Sequence, residues 1–253
     1  MVFLYRPFQQ TLIKRTHILQ NIITSTLKIK IAEPSLTNNL FVSNNRIRSL
    51  LKSGFMNPYG GIHVIVSPHG SGKTTLVCKY ANEVIENGGS VRYMGSEIES
   101  FDDYYNVFQN NTLPKNSIII IDHLDNFKTL SKEIKSFISY IDLNNYYNIN
   151  VIIPLSCPIM ANLILNTKSF NNNIQQLGKS NDFQWDKAVI EQYAEKVCNN
   201  WSIADKEIFI ELGIISKSPL FLCSIKNIYS TGLPTNKKSL YKSAAIYQNE
   251  FLS

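Results

Sequence analysis

Buried strands and amphipathic helices alternate from about residue 40 to residue 180. Four short apolar runs, rich in β-branched residues, have the length of buried strands. They cover residues 62–66, 90–94, 117–121 and 149–156. Helical spacing of apolar residues is found over 40–55, 75–87, 97–111 and 130–145. This alternation predicts an α/β fold built on a parallel sheet.

Beyond residue 165 the pattern changes. The segment 166–182 is rich in Asn, Gln, Lys and Ser, which is typical of a surface loop, and one short strand is predicted around 174–177. Helical spacing then dominates over residues 183–201, 203–212, 220–229 and 237–251. Gly213 and Pro219 are predicted to separate the second and third of these helices. We therefore predict three regions, namely an N-terminal arm over 1–39, an α/β core over 40–180 and a helical region over 181–253.

The composition is that of a globular chain. Of the 253 residues, 44% are hydrophobic and 17% are charged, which suits a folded core rather than global disorder. No apolar run approaches the ~18–20 residues of a membrane-spanning helix, so we expect no membrane span. The four cysteines and four histidines are scattered, without the spacing of a zinc site.

The net charge of +6 is concentrated at the N-terminus. The first 32 residues hold five of the 25 basic residues and no acidic residue, which leaves 20 basic and 19 acidic residues in the remainder. A nearly neutral body does not indicate a general nucleic-acid-binding surface. The basic arm is typical of a mitochondrial transit peptide; an N-terminal helix packed on the core and an arm that contacts nucleic acid are the alternatives. We expect an intracellular protein, in the cytoplasm, the nucleus or the mitochondrial matrix.

A glycine-rich turn joins the first strand to the helix that follows it. The turn reads Ser67-Pro68-His69-Gly70-Ser71-Gly72-Lys73-Thr74, close to the G-x-x-x-x-G-K-[ST] pattern of a phosphate-binding P-loop. Backbone N–H groups of such a turn and the N-terminus of the next helix face a bound anion together. The residues expected to bind the nucleotide phosphates are Pro68, His69, Gly70, Ser71, Gly72, Lys73, Thr74 and Thr75. Ser67 replaces the first glycine of the pattern, which leaves the phosphate-facing part intact.

The strand of four isoleucines ends in Asp122-His123-Leu124-Asp125. The carboxyl ends of the strands form the ligand-binding edge of an open α/β sheet, so Asp122 is predicted to lie beside the P-loop. We expect Asp122 and the Thr74 hydroxyl to hold Mg²⁺; the alternative is that Asp122 only caps the next helix. Ser156 ends a further strand, where it is predicted to orient water or to sense the γ-phosphate, unless it is an ordinary strand-end serine.

Together these motifs resemble those of the P-loop ATPases of the AAA+/STAND group. The likeness covers about residues 40–230 and depends mainly on the loop 67–74 and on Ile118–Asp125. Asp122-His123-Leu124-Asp125 is similar to the D-x-x-D variant of Walker B in NACHT-type and initiator-type members. Ser218-Pro219-Leu220 is similar to a small-residue–proline motif in the STAND lid. The resemblance implies a three-layer P-loop NTPase core with a parallel sheet, followed by a smaller helical lid that closes over the nucleotide.

His123 departs from this family pattern. Most hydrolytic members have a glutamate directly after the magnesium-binding aspartate, where it activates water. Asp125 or His123 could serve as the base instead, or the nucleotide could be bound and hydrolysed slowly. No arginine finger is identifiable, because Arg46, Arg48 and Arg92 are the only arginines outside the N-terminal arm. The candidate catalytic residues are Lys73, Asp122, His123, Asp125 and Ser156.

These features predict a Mg-ATP-binding P-loop ATPase that acts as a nucleotide-dependent switch or motor, with ATP and Mg²⁺ as cofactors. No N-K-x-D base-reading motif follows the sheet, which favours ATP over GTP. One alternative is a non-hydrolysing nucleotide-binding component of a larger assembly, since the chain also resembles the GTP-binding small-subunit protein of mitochondrial ribosomes. Another is the ATPase module of a mobile-element or effector protein that acts on nucleic acid. A protein partner or self-association is expected.

Overall fold

The computed structural model describes residues 45–95, 105, 116–126, 131–143, 148–168 and 173–230. The predicted N-terminal arm, the helix over 97–111 apart from Tyr105 and the helix over 237–251 lie outside these residues. The strands are β1 (Gly61–Val66), β2 (Val91–Met94), β3 (Ile118–Ile121), β4 (Asn150–Leu155) and β5 (Ile174–Gln176). The helices are α1 (Asn45–Phe55), α2 (Lys73–Glu86), α3 (Ser131–Leu143), α4 (Pro158–Leu165), α5 (Lys187–Val197), α6 (Ile203–Ser216) and α7 (Pro219–Ser230). Within the described ranges, no helix has both the length and the apolar character needed to cross a membrane.

The strands form one sheet in the order β2-β3-β4-β1-β5, and every pairing is parallel. This confirms the predicted parallel sheet. Strand β4 pairs with β1 on one side and with β3 on the other. The loop after β1, Ser156 after β4 and Asp122 after β3 therefore follow three neighbouring strands at one edge of the sheet.

Apolar side chains leave the sheet on both faces. In β3, Ile119 and Ile121 join a cluster with α3 and α4, whereas Ile118 and Ile120 join a cluster with α1 and α2. The predicted apolar face of α3 is buried: Ile134, Phe137, Ile138 and Ile141. Each such side chain contributes roughly 1.5–3 kcal/mol by leaving water. Because helices cover both faces of the sheet, the predicted three-layer α/β class is confirmed.

Helix α4 follows β4 almost directly and was not predicted. Pro158 opens the helix, where its missing N–H removes no helical hydrogen bond. Ala161 and Ile164 are buried against the sheet cluster that also contains α3. With only eight residues, the helix is too short for its apolar spacing to stand out from that of the preceding strand.

Helices α5, α6 and α7 pack around a separate apolar cluster that includes Tyr193, Phe209 and Leu222. Asp186 caps α5 and Ser202 caps α6, each by accepting a hydrogen bond from the backbone N–H three residues further on. Such a cap contributes about 1 kcal/mol. The chain beyond the sheet is thus a small helical unit with its own core.

Gly213 does not end α6, contrary to the prediction. The helix continues to Ser216 and ends at Lys217, which adopts a left-handed conformation with φ +50°. A Cβ atom on Gly213 would lie 2.6 Å from Cγ2 of Ile190 and 3.2 Å from the side chain of Leu222. The glycine therefore allows α5 and α7 to approach α6 closely, which is a packing role that its position in the sequence did not indicate.

The boundary that we predict between residues 180 and 181 remains a prediction. A short 3-10 turn, Ser180–Phe183, lies at this point. Phe183 is buried in the α1/α2 cluster, and Asp182 pairs with Arg46 of α1 at 2.7 Å. These residues are attached to the α/β layers rather than to the helical unit.

Candidate functional site

The loop after β1 depends on two glycines with positive φ. Gly70 has φ +75°, and Gly72, at the N-cap of α2, has φ +83°, a region where other residues are strained. Ser67 is not among the described non-glycine residues with positive φ. The loop therefore does not need a glycine at its first position, which explains in physical terms why serine is accommodated there.

The side chain of Lys73 folds back onto its own loop. Its Nζ donates to the carbonyl oxygens of Ser67 (2.8 Å) and Pro68 (3.0 Å) and to Oγ of Ser156 (2.9 Å). Burial lowers the pKa of Lys73 below its usual value, while the negative charges of Asp125 and then Asp122 oppose that shift. A cation is thus held between the P-loop and the ends of β3 and β4, where an anion would find its counter-charge.

Two hydroxyl groups of the loop have no hydrogen-bond partner within the described part of the chain. Oγ of Ser67 and Oγ of Ser71 are both buried and unpaired. An unsatisfied buried hydroxyl costs on the order of 1–3 kcal/mol, and native proteins retain few of them. The loop therefore contains donor groups that its own fold does not satisfy.

Asp122 is almost fully buried at the end of β3 and is held by two donors. The phenol of Tyr93 donates to its Oδ2 at 2.9 Å, and the backbone N–H of His123 donates to its Oδ1 at 2.9 Å. His123 has φ +59°, and its Nε2 lies 3.7 Å from Oδ2 of Asp122. The imidazole is thus turned back towards the preceding carboxylate.

Asp125 joins β3 to β4 across the edge of the sheet. It belongs to the 3-10 turn Leu124–Asn126, and its Oδ2 accepts the backbone N–H of Ser156 at 2.7 Å. Ser156 in turn accepts a hydrogen bond from Lys73. Asp125, Ser156 and Lys73 therefore form one continuous polar network.

The helical unit contacts the P-loop directly. Oγ of Ser218 and the backbone N–H of Leu220 both donate to the carbonyl oxygen of Gly70, at 3.2 and 3.3 Å. A Cβ atom on Gly72 would lie 3.5 Å from Cγ of Pro219. The start of α7 thus lies against the phosphate-binding loop.

Apart from Gly70, Ser71 and Gly72 of the loop itself, the predicted site residues divide into three groups. Lys73, Asp122, Asp125 and Ser156 converge at the carboxyl edge of the sheet. Pro68 and His69 are exposed on the loop, and Thr74 and Thr75 are half-buried in the first turn of α2. His123 is adjacent to Asp122 rather than part of the Lys73 network.

Sequence reasoning missed Tyr93 as a partner of Asp122. The two residues are 29 positions apart and belong to different strands. The register of β2 against β3, in which Tyr93 is opposite Ile120, is the signal that could have identified it. That register is not readable from a single sequence.

A cavity of about 860 Å³ lies at the opposite edge of the sheet, between α1 and α2. Its lining includes Lys52, Tyr80, Ser90 and Asn116. It is distant from the P-loop network, so cavity size and the convergence of charged groups point to different places. The charged groups that can carry chemistry are at the carboxyl edge, around Lys73.

The residues at the carboxyl edge fit a magnesium nucleotide. Mg²⁺ prefers oxygen ligands, and Asp122 and Thr74 offer a carboxylate and a hydroxyl there. The unpaired hydroxyls of Ser67 and Ser71 and the ammonium of Lys73 suit phosphate oxygens. The site therefore contains the donor set for both the metal and the triphosphate.

One known protein family matches the segment that contains these residues. The model of the AAA family, described as ATPase family associated with various cellular activities, matches residues 63–153. This segment runs from β1 through the P-loop and Asp122–Asp125 to β4. A search of curated protein sequences finds no significant match.

Solved structures share the fold at low sequence identity. The Orc1 protein of Aeropyrum pernix, in complex with DNA, aligns with a TM-score of 0.53 and 10% identity over 91% of this chain and 70% of that chain. A RuvB mutant of Thermotoga maritima aligns with a TM-score of 0.50 and 10% identity, over 82% of this chain and 71% of that chain. A second RuvB mutant from the same organism gives 0.50 and 11%, over 81% and 70%. The AAA family match therefore covers the segment that contains the P-loop and Asp122–Asp125, and these solved structures share the fold of the chain.

Proposed function

We propose that this chain binds Mg-ATP at the loop 67–74, hydrolyses it, and acts as a nucleotide-dependent switch or motor. The observation that carries the proposal is the position of Lys73. Its ammonium lies between a glycine-rich loop and two carboxylates, with unpaired buried hydroxyls beside it. A triphosphate would take over the ammonium from the loop carbonyls and provide acceptors for those hydroxyls.

Asp122 and Thr74 would hold Mg²⁺, and the metal supplies charge neutralisation at the β- and γ-phosphates. Lys73 would neutralise the same phosphates from the side of the loop. Ser156 would be released from Lys73 when the lysine turns to phosphate, so its hydroxyl becomes available to the γ-phosphate or to water. In this scheme the protein supplies positioning and preorganised charge.

Asp125 is our candidate for the general base. Of the two carboxylates, Asp125 does more to raise the pKa of Lys73, and its bond to the backbone N–H of Ser156 fixes its orientation. His123 is less suited, because its ring is turned towards Asp122. A positioned base contributes about 10²–10⁴-fold to the rate.

The switch would operate through the contact between α7 and the loop. The carbonyl oxygen of Gly70 accepts hydrogen bonds from Ser218 and Leu220. A change in the conformation of the loop on phosphate binding would therefore change the position of α7 and of the helical unit. This contact also supports the resemblance of Ser218-Pro219-Leu220 to the STAND lid motif. The position of the helical unit would thereby depend on whether nucleotide is bound.

Binding is tested by thermal unfolding in the presence of Mg-ATP. Wild-type protein should be stabilised in proportion to ATP concentration, and Lys73→Ala should lose that stabilisation. Lys79→Ala is the matched control, because Lys79 belongs to the same helix but lies away from the loop. Equal stabilisation of wild type and Lys73→Ala by ATP would overturn the proposal.

Hydrolysis is tested separately, by phosphate release from wild type, Asp125→Asn and His123→Ala. Asparagine keeps an acceptor for the N–H of Ser156 but removes the base and its negative charge near Lys73. Asp125→Asn should lower kcat at least tenfold with ATP binding retained, whereas His123→Ala should have a smaller effect. The reverse ranking would assign the base to His123.

A second candidate function is a nucleotide-binding component that does not hydrolyse ATP or GTP. His123 favours it, since no glutamate follows Asp122 and the imidazole approaches the carboxylate instead. His123→Glu is the informative variant. Nucleotide that remains bound and intact in wild type, with phosphate release gained in His123→Glu, would support this function over the first.

A further inference from the structure

Tyr93 is a feature of the site that the proposed function does not use. We propose that Tyr93 is a positioning residue for the magnesium-binding carboxylate, and that Gly95 is required to seat it. This inference rests on the proposed function, because it assigns Asp122 to the metal. It concerns how that carboxylate is oriented.

The register of the sheet places the phenol below Asp122. Tyr93 is opposite Ile120 in the parallel pairing of β2 with β3, and the backbone N–H of Asp122 continues the ladder by donating to Met94 at 2.8 Å. Since side chains alternate along a strand, Asp122 leaves the sheet on the same face as Ile120. Tyr93 packs against the α1/α2 cluster on that face, and its hydroxyl reaches Oδ2 of Asp122.

Two donors thus fix the carboxylate from two directions. The backbone N–H of His123 holds Oδ1 and the phenol of Tyr93 holds Oδ2. Hydrogen bonds from outer groups orient metal-binding carboxylates in proteins, and their removal commonly weakens metal binding about 10–100-fold. Tyr93 can act in this way because a phenol donates a hydrogen bond while remaining neutral.

Gly95 provides independent evidence for the contact between Tyr93 and Asp122. A Cβ atom at this buried position would lie 2.4 Å from Cε1 and 2.7 Å from the hydroxyl oxygen of Tyr93. The φ of Gly95 is not in the left-handed region, so its role here is space rather than backbone conformation. The missing side chain leaves room for the ring in the orientation that reaches Asp122. Displacing the end of the ring costs the fold little but breaks the bond.

The test compares ATP affinity in saturating Mg²⁺ with ATP affinity in EDTA, by calorimetric titration. The ratio of the two dissociation constants measures how strongly the metal tightens binding. For Tyr93→Phe we expect this ratio to fall about tenfold, with affinity in EDTA unchanged. Gly95→Ala should reproduce the fall although the hydroxyl is still present.

Tyr80→Phe is the matched control, because it also removes a tyrosine hydroxyl. The ring of Tyr80 packs edge-on against Phe55 and lines the cavity at the opposite edge of the sheet. Its ratio should equal that of wild type. Combining Tyr93→Phe with Asp122→Asn should cause no further loss beyond Asp122→Asn alone. A wild-type ratio in Tyr93→Phe overturns the inference while the proposed function stands. A wild-type protein whose ATP affinity is the same in Mg²⁺ and EDTA overturns the magnesium site and this inference together.

Discussion

Two polar clusters lie at opposite ends of the same central strands, and they differ in how completely their groups are paired. At the amino end, Nε2 of His63 contacts Oδ1 of Asn150 at 3.1 Å, and Nδ1 of His63 accepts from Gln175 at 3.0 Å. The amide of Asn150 also donates to the carbonyl oxygens of Phe55 and Asn57. This cluster holds α1 and β5 to the sheet.

At the carboxyl end, pairing is incomplete and the charges are uneven. Ser67 and Ser71 have buried hydroxyls without a partner in the described chain, and Lys73 is bound to loop carbonyls and a hydroxyl. Buried polar groups that are fully satisfied stabilise a fold, whereas unsatisfied ones in a native structure call for an explanation. Incomplete pairing thus distinguishes the carboxyl end, our candidate binding site, from the structural cluster at the amino end.

Asn150→Ala should produce the largest effect on stability and none on nucleotide affinity. The change leaves two carbonyl oxygens and the N–H of His63 without partners, so we expect a loss of about 3 kcal/mol in the free energy of unfolding. Denaturant unfolding measures this loss. Asn87→Ala is the control, because Asn87 is an exposed residue at the end of α2, and its effect should stay within about 0.5 kcal/mol. Equal losses in the two variants would contradict a structural role for the His63 cluster.

Gly70→Ala should affect both stability and binding. Alanine at φ +75° is strained by about 1–2 kcal/mol, and its Cβ would lie 3.0 Å from Oγ of Ser218 and 3.1 Å from Cβ of Leu220. We therefore expect a destabilisation of about 2 kcal/mol together with loss of ATP-dependent stabilisation.

Gly88→Ala is the control that separates the backbone strain of an alanine at positive φ from the steric contacts that Gly70→Ala would make. Gly88 has φ +86°, but a Cβ there would meet nothing within 4 Å. It should show only the conformational cost of about 1 kcal/mol, with ATP-dependent stabilisation retained. If both glycine variants bind ATP equally well, the loop of Gly70 is not the nucleotide site.

The sequence was most informative where local pattern determines structure. The glycine-rich loop and the four-isoleucine strand are read from contiguous residues; the strand is β3, and the loop joins β1 to α2 as predicted. Helix α4 and the packing role of Gly213 were missed, because a short helix has a weak period and the contact of Gly213 with Ile190 is long-range. Tyr93 was also missed, because its contact with Asp122 depends on the order and register of the strands. Ser156 was predicted in part. Its position at the carboxyl edge of the sheet could be predicted from the sequence, but its hydrogen bonds to Asp125 and Lys73 could not.

Ser71→Ala and Ser224→Ala should change stability in opposite directions. Removing the unpaired hydroxyl of Ser71 relieves a buried polar group, so we expect a gain of up to about 1 kcal/mol. The hydroxyl of Ser224, also buried, donates to the carbonyl oxygen of Leu220 at 3.0 Å, and its removal should cost about 0.5–1 kcal/mol. Ser71→Ala should also weaken ATP binding if phosphate is the missing partner. A loss of stability in Ser71→Ala would show that its hydroxyl is already satisfied in solution.

The smallest effect concerns pH. Burial lowers the pKa of His63 and outweighs the opposing effect of its hydrogen bond to Asn150, so the folded protein holds this imidazole neutral. The unfolded chain binds a proton with a pKa of about 6.5. Below that pH the unfolded state therefore carries more protons at this residue than the folded state, and stability falls as pH decreases. Above it the contribution of His63 is constant.

His63→Gln removes this titration while keeping an amide that can contact Asn150. Unfolding free energy measured between pH 8 and 5 should therefore fall less steeply in His63→Gln than in wild type. The two proteins share every other ionisable residue, so the difference between the two slopes isolates His63. Parallel slopes would mean that His63 binds its proton equally well in the folded and the unfolded state, so that the cluster at the amino end does not hold the imidazole neutral.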